Sequence, residues 1–166
     1  MYQISKEVQF DMGHRVPNHK SKCRNPHGHR YRVVAYLAAH KLVETPGDSA
    51  EGMLADFSDL KALMTEHIHD VLDHGFAIYK EDDEMRSLLV RRTAAGETRF
   101  VHDWNVIIFP YIPTAENMAR WAFEQLEHRI LASEEMGGHL YLHAVEVWET
   151  PTSMARYNGP FTEVVD

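Results

Sequence analysis

Most residues able to do chemistry in this chain lie between His14 and His29. His27 and His29 flank Gly28, and an extended strand aims alternate side chains to one face, so both imidazoles can reach one ion. His14 closes the preceding apolar-alternating stretch. If the two stretches pair as neighbouring strands, its ring arrives beside the other two and completes a three-histidine set. Three nitrogen ligands leave zinc one open position for substrate, the catalytic arrangement and not the closed structural one. Cys23, the single cysteine, stands four residues before His27 with Lys20, Lys22 and Arg24 around it. Cationic neighbours favour the thiolate, which can serve as ligand, nucleophile or proton acceptor. With three histidines at hand, base or nucleophile is the preferred role; an inert buried thiol is the alternative.

The same stretch is a basic island. Arg15, Lys20, Lys22, Arg24, Arg30 and Arg32 fall between His14 and Arg32 with no Asp or Glu among them, in a chain of 25 acids, 17 bases and net charge −8. Bases gathered beside a metal suit a small anion such as a phosphate ester, while the acidic remainder argues against nucleic acid or an anionic membrane as partner. No stretch approaches the ~20 apolar residues that cross a bilayer. Met1 to Glu7 lacks a basic patch followed by an apolar core, and one cysteine cannot form an internal disulfide, so a cytoplasmic location is expected.

The elements that must position these residues follow from periodicity. Tyr2, Ile4, Val8, Phe10 and Met12 alternate as a half-buried strand, and His29–Ala39 is a second, expected antiparallel to it. Val16–Pro26 has loop composition, and Glu44–Gly52 marks a turn. Leu60, Leu63, Met64, Ile68, Val71 and Leu72 predict a helix over about 58–72, capped by Ser58 and ended at Gly75. The charged segment 80–100, with a short amphipathic stretch at 84–91 and a break at Gly96, reads as a peripheral insertion. A strand over 104–109, a helix opening at Pro113 and Thr114, a long strand over 140–148 and a hairpin partner over 154–157 complete one domain over 1–166. The fold class expected is α+β, an antiparallel sheet with two helices on one face.

Read in order, Phe10-Asp11-Met12-Gly13-His14-Arg15, Cys23-Arg24-Asn25-Pro26-His27-Gly28-His29, Asp56-Phe57-Ser58-Asp59-Leu60-Lys61, Leu72-Asp73-His74, Pro113-Thr114-Ala115-Glu116-Asn117 and Glu149-Thr150 resemble the 6-pyruvoyl/6-carboxy-tetrahydropterin synthase family. The resemblance implies a tunnelling fold (T-fold), oligomeric and commonly hexameric, with sites between subunits. It implies 7,8-dihydroneopterin triphosphate as substrate, Zn2+ on the histidines, Cys23 as base, and Asp73 and His74 completing a triad. It also implies that Glu149 accepts the pterin amino group and ring NH as a fork, with Thr114 and Glu116 as further substrate contacts or merely helix caps. The three-residue gap from Cys23 to His27 and the Asp56-Phe57 pair resemble the carboxy branch, a zinc lyase of queuosine and 7-deazaguanine synthesis that releases triphosphate and acetaldehyde. The competing readings are the pyruvoyl branch, a zinc hydrolase with Cys23 incidental, and a pterin-binding protein without turnover.

Overall fold

The structure is a computed structural model that describes residues 1–92, 94–95, 98–100, 103–133, 136 and 138–160; the break expected at Gly96 lies outside them. Strand β1 (Tyr2–His14) turns through a loop holding one 3-10 turn (Lys22–Arg24) into β2 (His27–Ala39). Helix α1 (Phe57–Met64) runs through a π turn (Thr65–His69) into α2 (Asp70–Leu72), followed by β3 (Gly75–Tyr79), α3 (Asp83–Leu89), β4 (Val90–Arg92) and β5 (Thr98–Phe100). The remainder is β6 (Val106–Phe109), α4 (Ala115–Ala132), β7 (Leu140–Thr150) and β8 (Ser153–Tyr157). The main sheet has the order β6-β3-β1-β2-β7-β8, and β4 pairs with β5 apart from it.

The sheet is mixed, which corrects the antiparallel expectation. β1 and β2 pair antiparallel from Tyr2↔Ala39 to His14↔His27, and β2–β7 and β7–β8 are antiparallel as well. However, β1–β3 and β3–β6 are parallel, because helical crossovers return the chain to the same end of the sheet. Strand β3 was not expected from sequence: Phe76 to Tyr79 is a short unbroken apolar run without alternation, the pattern of a strand covered on both faces. Gly75 opens that strand instead of ending the helix, and the cap of α1 is Asp56, whose carboxylate accepts from the Ser58 N–H at 2.7 Å.

One face of the sheet carries the main core. Phe10 and Met12 of β1, Tyr31, Val33, Ala35 and Leu37 of β2, and Val145 and Val147 of β7 pack against Leu60 and Met64 of α1 and the stripe Met118, Ala119, Ala122, Phe123, Leu126 and Ile130 of α4. That stripe has the period of one helix face, which is why α4 lies flat on β7. A second cluster on the far side of β3 joins Ile78 and Val106 to Met85 and Leu89 of α3. The segment after residue 80 therefore supplies a helix of its own to the opposite face. No helix among the described residues is long and apolar enough to cross a membrane.

Candidate functional site

The β1–β2 register ends with Gly13↔Gly28 and His14↔His27. A Cβ on Gly28 would stand 3.0 Å from the Met12 carbonyl oxygen, and one on Gly13 would be 2.5 Å from the Phe76 ring. The absent side chains let the Met12 carbonyl lie close to Gly28 where β1 meets β2, and let the Phe76 ring of β3 pack over Gly13. His14 and His27 have ring centroids 4.5 Å apart, His27 and His29 5.0 Å, and His14 and His29 5.5 Å. Glu149, near the end of β7, joins them, so that one ligand atom from each of His14, His27, His29 and Glu149 lies within 4.8 Å of the others.

Hydrogen bonds fix the tautomers. His14 Nδ1 lies 2.7 Å from the Pro113 carbonyl oxygen, and His27 Nδ1 lies 2.7 Å from the Asn25 carbonyl oxygen. A carbonyl only accepts, so each Nδ1 carries the proton and each neutral ring presents its Nε2 lone pair to the centre, as metal-ligating histidines do. His14 is 0% exposed and its Nε2 has no hydrogen-bond partner, although Glu149 Oε1 stands 3.2 Å away. A hydrogen bond there would need protons on both ring nitrogens, making a buried imidazolium; a cation between lone pair and carboxylate resolves the contact without one. The residues present therefore fit a metal ion, with four candidate ligands, two of them oriented by backbone carbonyls.

The electrostatics agree. Burial lowers the pKa of His29 from its ordinary 6.5, more than the facing Glu149 raises it, which keeps the ring neutral and able to ligate. The contact with His14 holds the Glu149 carboxyl below the usual carboxylate range against the opposing effect of burial, so that the carboxylate faces the rings as an anion. Behind them Tyr31 continues the parity of His27 and His29. It is fully buried and stands edge-on to His14 and His29 at 5.8 and 5.7 Å.

Glu149 reaches this place through a bulge. Leu37 pairs with Leu142 but Tyr36 with Ala144, so His143 is extra on β7 and the side-chain parity inverts there. Leu140 and Leu142 before the bulge, and Val145 and Val147 after it, all enter the core. Glu149 follows the second set onto the same face, an alternation that sequence parity alone left ambiguous.

The second group is a dyad. His74 Nδ1–H donates to Asp73 Oδ2 at 2.8 Å, Asp73 Oδ1 accepts from the Asp11 N–H at 3.1 Å, and the His74 N–H donates to the Asp11 carbonyl oxygen at 2.8 Å. His74 has φ of 54°, a left-handed conformation uncommon outside glycine, and its side chain is 82% exposed. Asp73 is held below the ordinary carboxylate range by the His74 bond first. The dyad opens on a cleft of about 470 Å³ that His29 also lines, adjoined by one of about 450 Å³ between His29, Trp148 and Glu149. Cys23 is half-buried in the 3-10 turn, outside the metal set, and no hydrogen bond joins it to the dyad within one chain. Thr114 caps α4, accepting from the Asn117 N–H at 3.4 Å, and Glu116 is exposed in the first turn. The residues missed from sequence are Tyr31, signalled only by its parity with His27 and His29, and Pro113, which acts through its backbone.

Residues 3–160 match the family model described as 6-pyruvoyl tetrahydropterin synthase. The chain is 34% identical over 162 residues to 6-carboxy-5,6,7,8-tetrahydropterin synthase of Haemophilus influenzae, covering 95% of this chain and 99% of that protein. It is 35% identical over 160 residues to the protein of the same name from Synechocystis, covering 96% and 95%. An uncharacterized protein from Wolinella succinogenes superimposes with a TM-score of 0.74 at 27% identity over 96% of this chain and 98% of that one. The 6-pyruvoyl tetrahydropterin synthase of Plasmodium falciparum shares the fold, with a TM-score of 0.60 at 19% identity over 94% and 96%. The matched stretch begins in β1 and ends beyond β8, so that every element holding the two groups of side chains falls within it, and the chain belongs to the 6-pyruvoyl tetrahydropterin synthase family.

Proposed function

We propose that this chain, with zinc on His14, His27 and His29, converts 7,8-dihydroneopterin triphosphate to 6-carboxy-5,6,7,8-tetrahydropterin, acetaldehyde and triphosphate, as a lyase of queuosine and 7-deazaguanine synthesis. The observation that carries the reading is the convergence of three imidazoles, that of His14 fully buried with its Nε2 unpartnered, beside Glu149; the names of the relatives support the carboxy branch. Zinc bound there supplies a Lewis acid for the side-chain hydroxyls of the substrate. Cys23 Sγ accepts the side-chain proton. His74 relays a proton through Nε2, left free because Nδ1–H is committed to Asp73.

Recognition divides among the remaining residues. Arg15 is paired with Asp82 and Glu84, Arg30 with Asp11 and Arg32 with Glu7. Lys20, Lys22 and Arg24 form no ion pair among the described residues and are exposed, which makes them the cations for the triphosphate. Thr114 and Glu116 stand at the entrance of α4, tied to His14 through Pro113. Glu149 accepts the pterin amino group and ring NH as a fork, and Thr114 and Glu116 are further substrate contacts. The strand edges left open at β6 and β8 support a homo-oligomer of the hexameric type, in which a neighbour completes the site. The docking of α3 on the far face supports one domain over 1–166 with 80–100 as a peripheral insertion, and we place the enzyme in the cytoplasm.

The test is to incubate zinc-loaded wild type and Cys23→Ala with the substrate, reading pterins by mass spectrometry and acetaldehyde by a coupled assay. Carboxy product with acetaldehyde is expected from wild type, and a loss of 100-fold or more, on the order of what a positioned acid–base group contributes, from the variant with zinc retained. A pyruvoyl product would move the chain to the other branch. An intact zinc-bound protein without turnover would end the synthase reading.

A further inference from the structure

The loop that carries Cys23 has no core of its own. None of residues 15–26 is buried, although His14 just before them is fully so, and the β1–β2 ladder stops at His14↔His27. Among the described residues, one backbone bond crosses the neck of this loop, from the Val16 N–H to the Cys23 carbonyl oxygen at 2.8 Å, while its other backbone bonds join residues three apart. Without buried side chains, such a loop keeps one pose only if something outside it grips an end.

The grip is on Arg15. Its Nε and Nη2 each donate to the carboxylate of Asp82 at 2.6 Å, and such a fork fixes direction as well as distance. Asp82 is buried and is itself held fast. Its Oδ1 accepts from the Met85 N–H, its own N–H donates to the Tyr79 carbonyl oxygen, and Met85 and Leu89 seat α3 on Ile78 and Val106. A buried ion pair returns little net stability against the cost of desolvating it, so stability alone does not explain why this one is present. We infer that Asp82 is a positioning residue for Cys23: through Arg15 it fixes the start of the loop, and the Val16–Cys23 bond passes that constraint to the turn bearing the thiol. The segment that begins at residue 80 thus serves a site it does not touch. His14 needs no such support, because the ladder and the Pro113 carbonyl hold it; metal and base are positioned by separate means.

This inference rests on the role of Cys23 proposed above, and two readouts let them fail separately. Amide exchange is followed in the zinc-loaded full chain for wild type, Asp82→Asn, Arg15→Lys and, as a control at the exposed end of the ion pair, Glu84→Gln. In Asp82→Asn and Arg15→Lys, protection of the Val16 amide is expected to fall about tenfold or more, with β1 and β2 exchanging at wild-type rates. At saturating substrate kcat should drop about 10- to 100-fold in both, the scale of a misplaced reacting group, while zinc affinity by chelator competition keeps its wild-type value. The double variant should be no slower than the slower single one, since both residues act through one contact, and Glu84→Gln should match wild type throughout. Wild-type protection of the Val16 amide in both variants, or a loosened loop with undiminished kcat, would overturn the proposal. Exchange accelerated over the whole chain would do so too, because it marks a loss of overall stability. If zinc-bound wild type does not turn over the substrate, the reaction assigned to Cys23 falls, and exchange of the Val16 amide alone then decides whether Asp82 holds the loop.

Discussion

His29 is the residue where protons and metal compete for one nitrogen. Its pKa is lowered from 6.5, by burial before any other cause. The unfolded chain therefore takes up a proton at this ring at a pH where the folded chain still refuses it. Below 6.5 the unfolded state binds more protons, so this ring's contribution to stability is fully present above that value and is lost as pH falls through the folded pKa. Glu149 has the same sign at lower pH, since its pKa is lowered from 4.5. Melting curves of the chelator-treated protein should thus fall in midpoint from about pH 7 to about pH 5, and His29→Asn should flatten the upper part of that profile. A midpoint independent of pH in wild type would contradict the burial assigned to His29. At this scale much of the site is legible in sequence: an HxH pair and a histidine closing the paired strand suffice to bring three imidazoles together. Glu149 was named from the family resemblance as a pterin contact, but its place beside the imidazoles was not legible, because the side of β7 that it occupies depends on a bulge at His143 that no residue type announces.

At the scale of elements, the fork between Arg15 and Asp82 fastens α3 to the end of β1. Arg15 Nε and Nη2 each donate to Asp82 at 2.6 Å, and Asp82 Oδ1 also accepts from the Met85 N–H at 3.1 Å, capping the helix. The side chains are 11% and 2% exposed. Burial alone would raise the Asp82 pKa, yet the bonds from Arg15 and the backbone bring it below its ordinary value. Asp82→Ala removes the buried partner of the Arg15 guanidinium and leaves it only the exposed Glu84, which should cost about 3–5 kcal/mol, read from the urea midpoint at unchanged slope. Glu84, 73% exposed and bound to the same arginine, should cost within about 1 kcal/mol when replaced by Ala. Equal losses would show that the fork is no tighter than the surface pair. The amphipathic stretch at 84–91 announces α3, but its docking face does not appear in the sequence, because Ile78 and Val106 come from strands distant in the chain. Strand β3 was lost for the related reason that a run buried on both faces shows no alternation.

For the whole molecule, the sheet ends at β6 and β8, each paired on one side only. Open edges invite pairing with another copy. Sedimentation of the zinc protein at micromolar concentration should give a multiple of the 19.2 kDa chain mass; an active species of 19.2 kDa would remove the shared site. The helices and long strands were readable from periodicity, whereas parallel pairing and subunit number depend on contacts that local pattern does not encode. The ligand positions have a consequence for how the molecule comes to hold its metal. Residues 14, 27 and 29 lie on one hairpin, but residue 149 and the Pro113 carbonyl that orients His14 lie a long way along the chain. A nascent hairpin offers only loosely ordered imidazoles, and the complete centre forms once β7 has docked on β2 and α4 has packed on β7. High-affinity uptake is therefore a late event in folding, and the retained ion reports that chain segments from both halves have found their native neighbours.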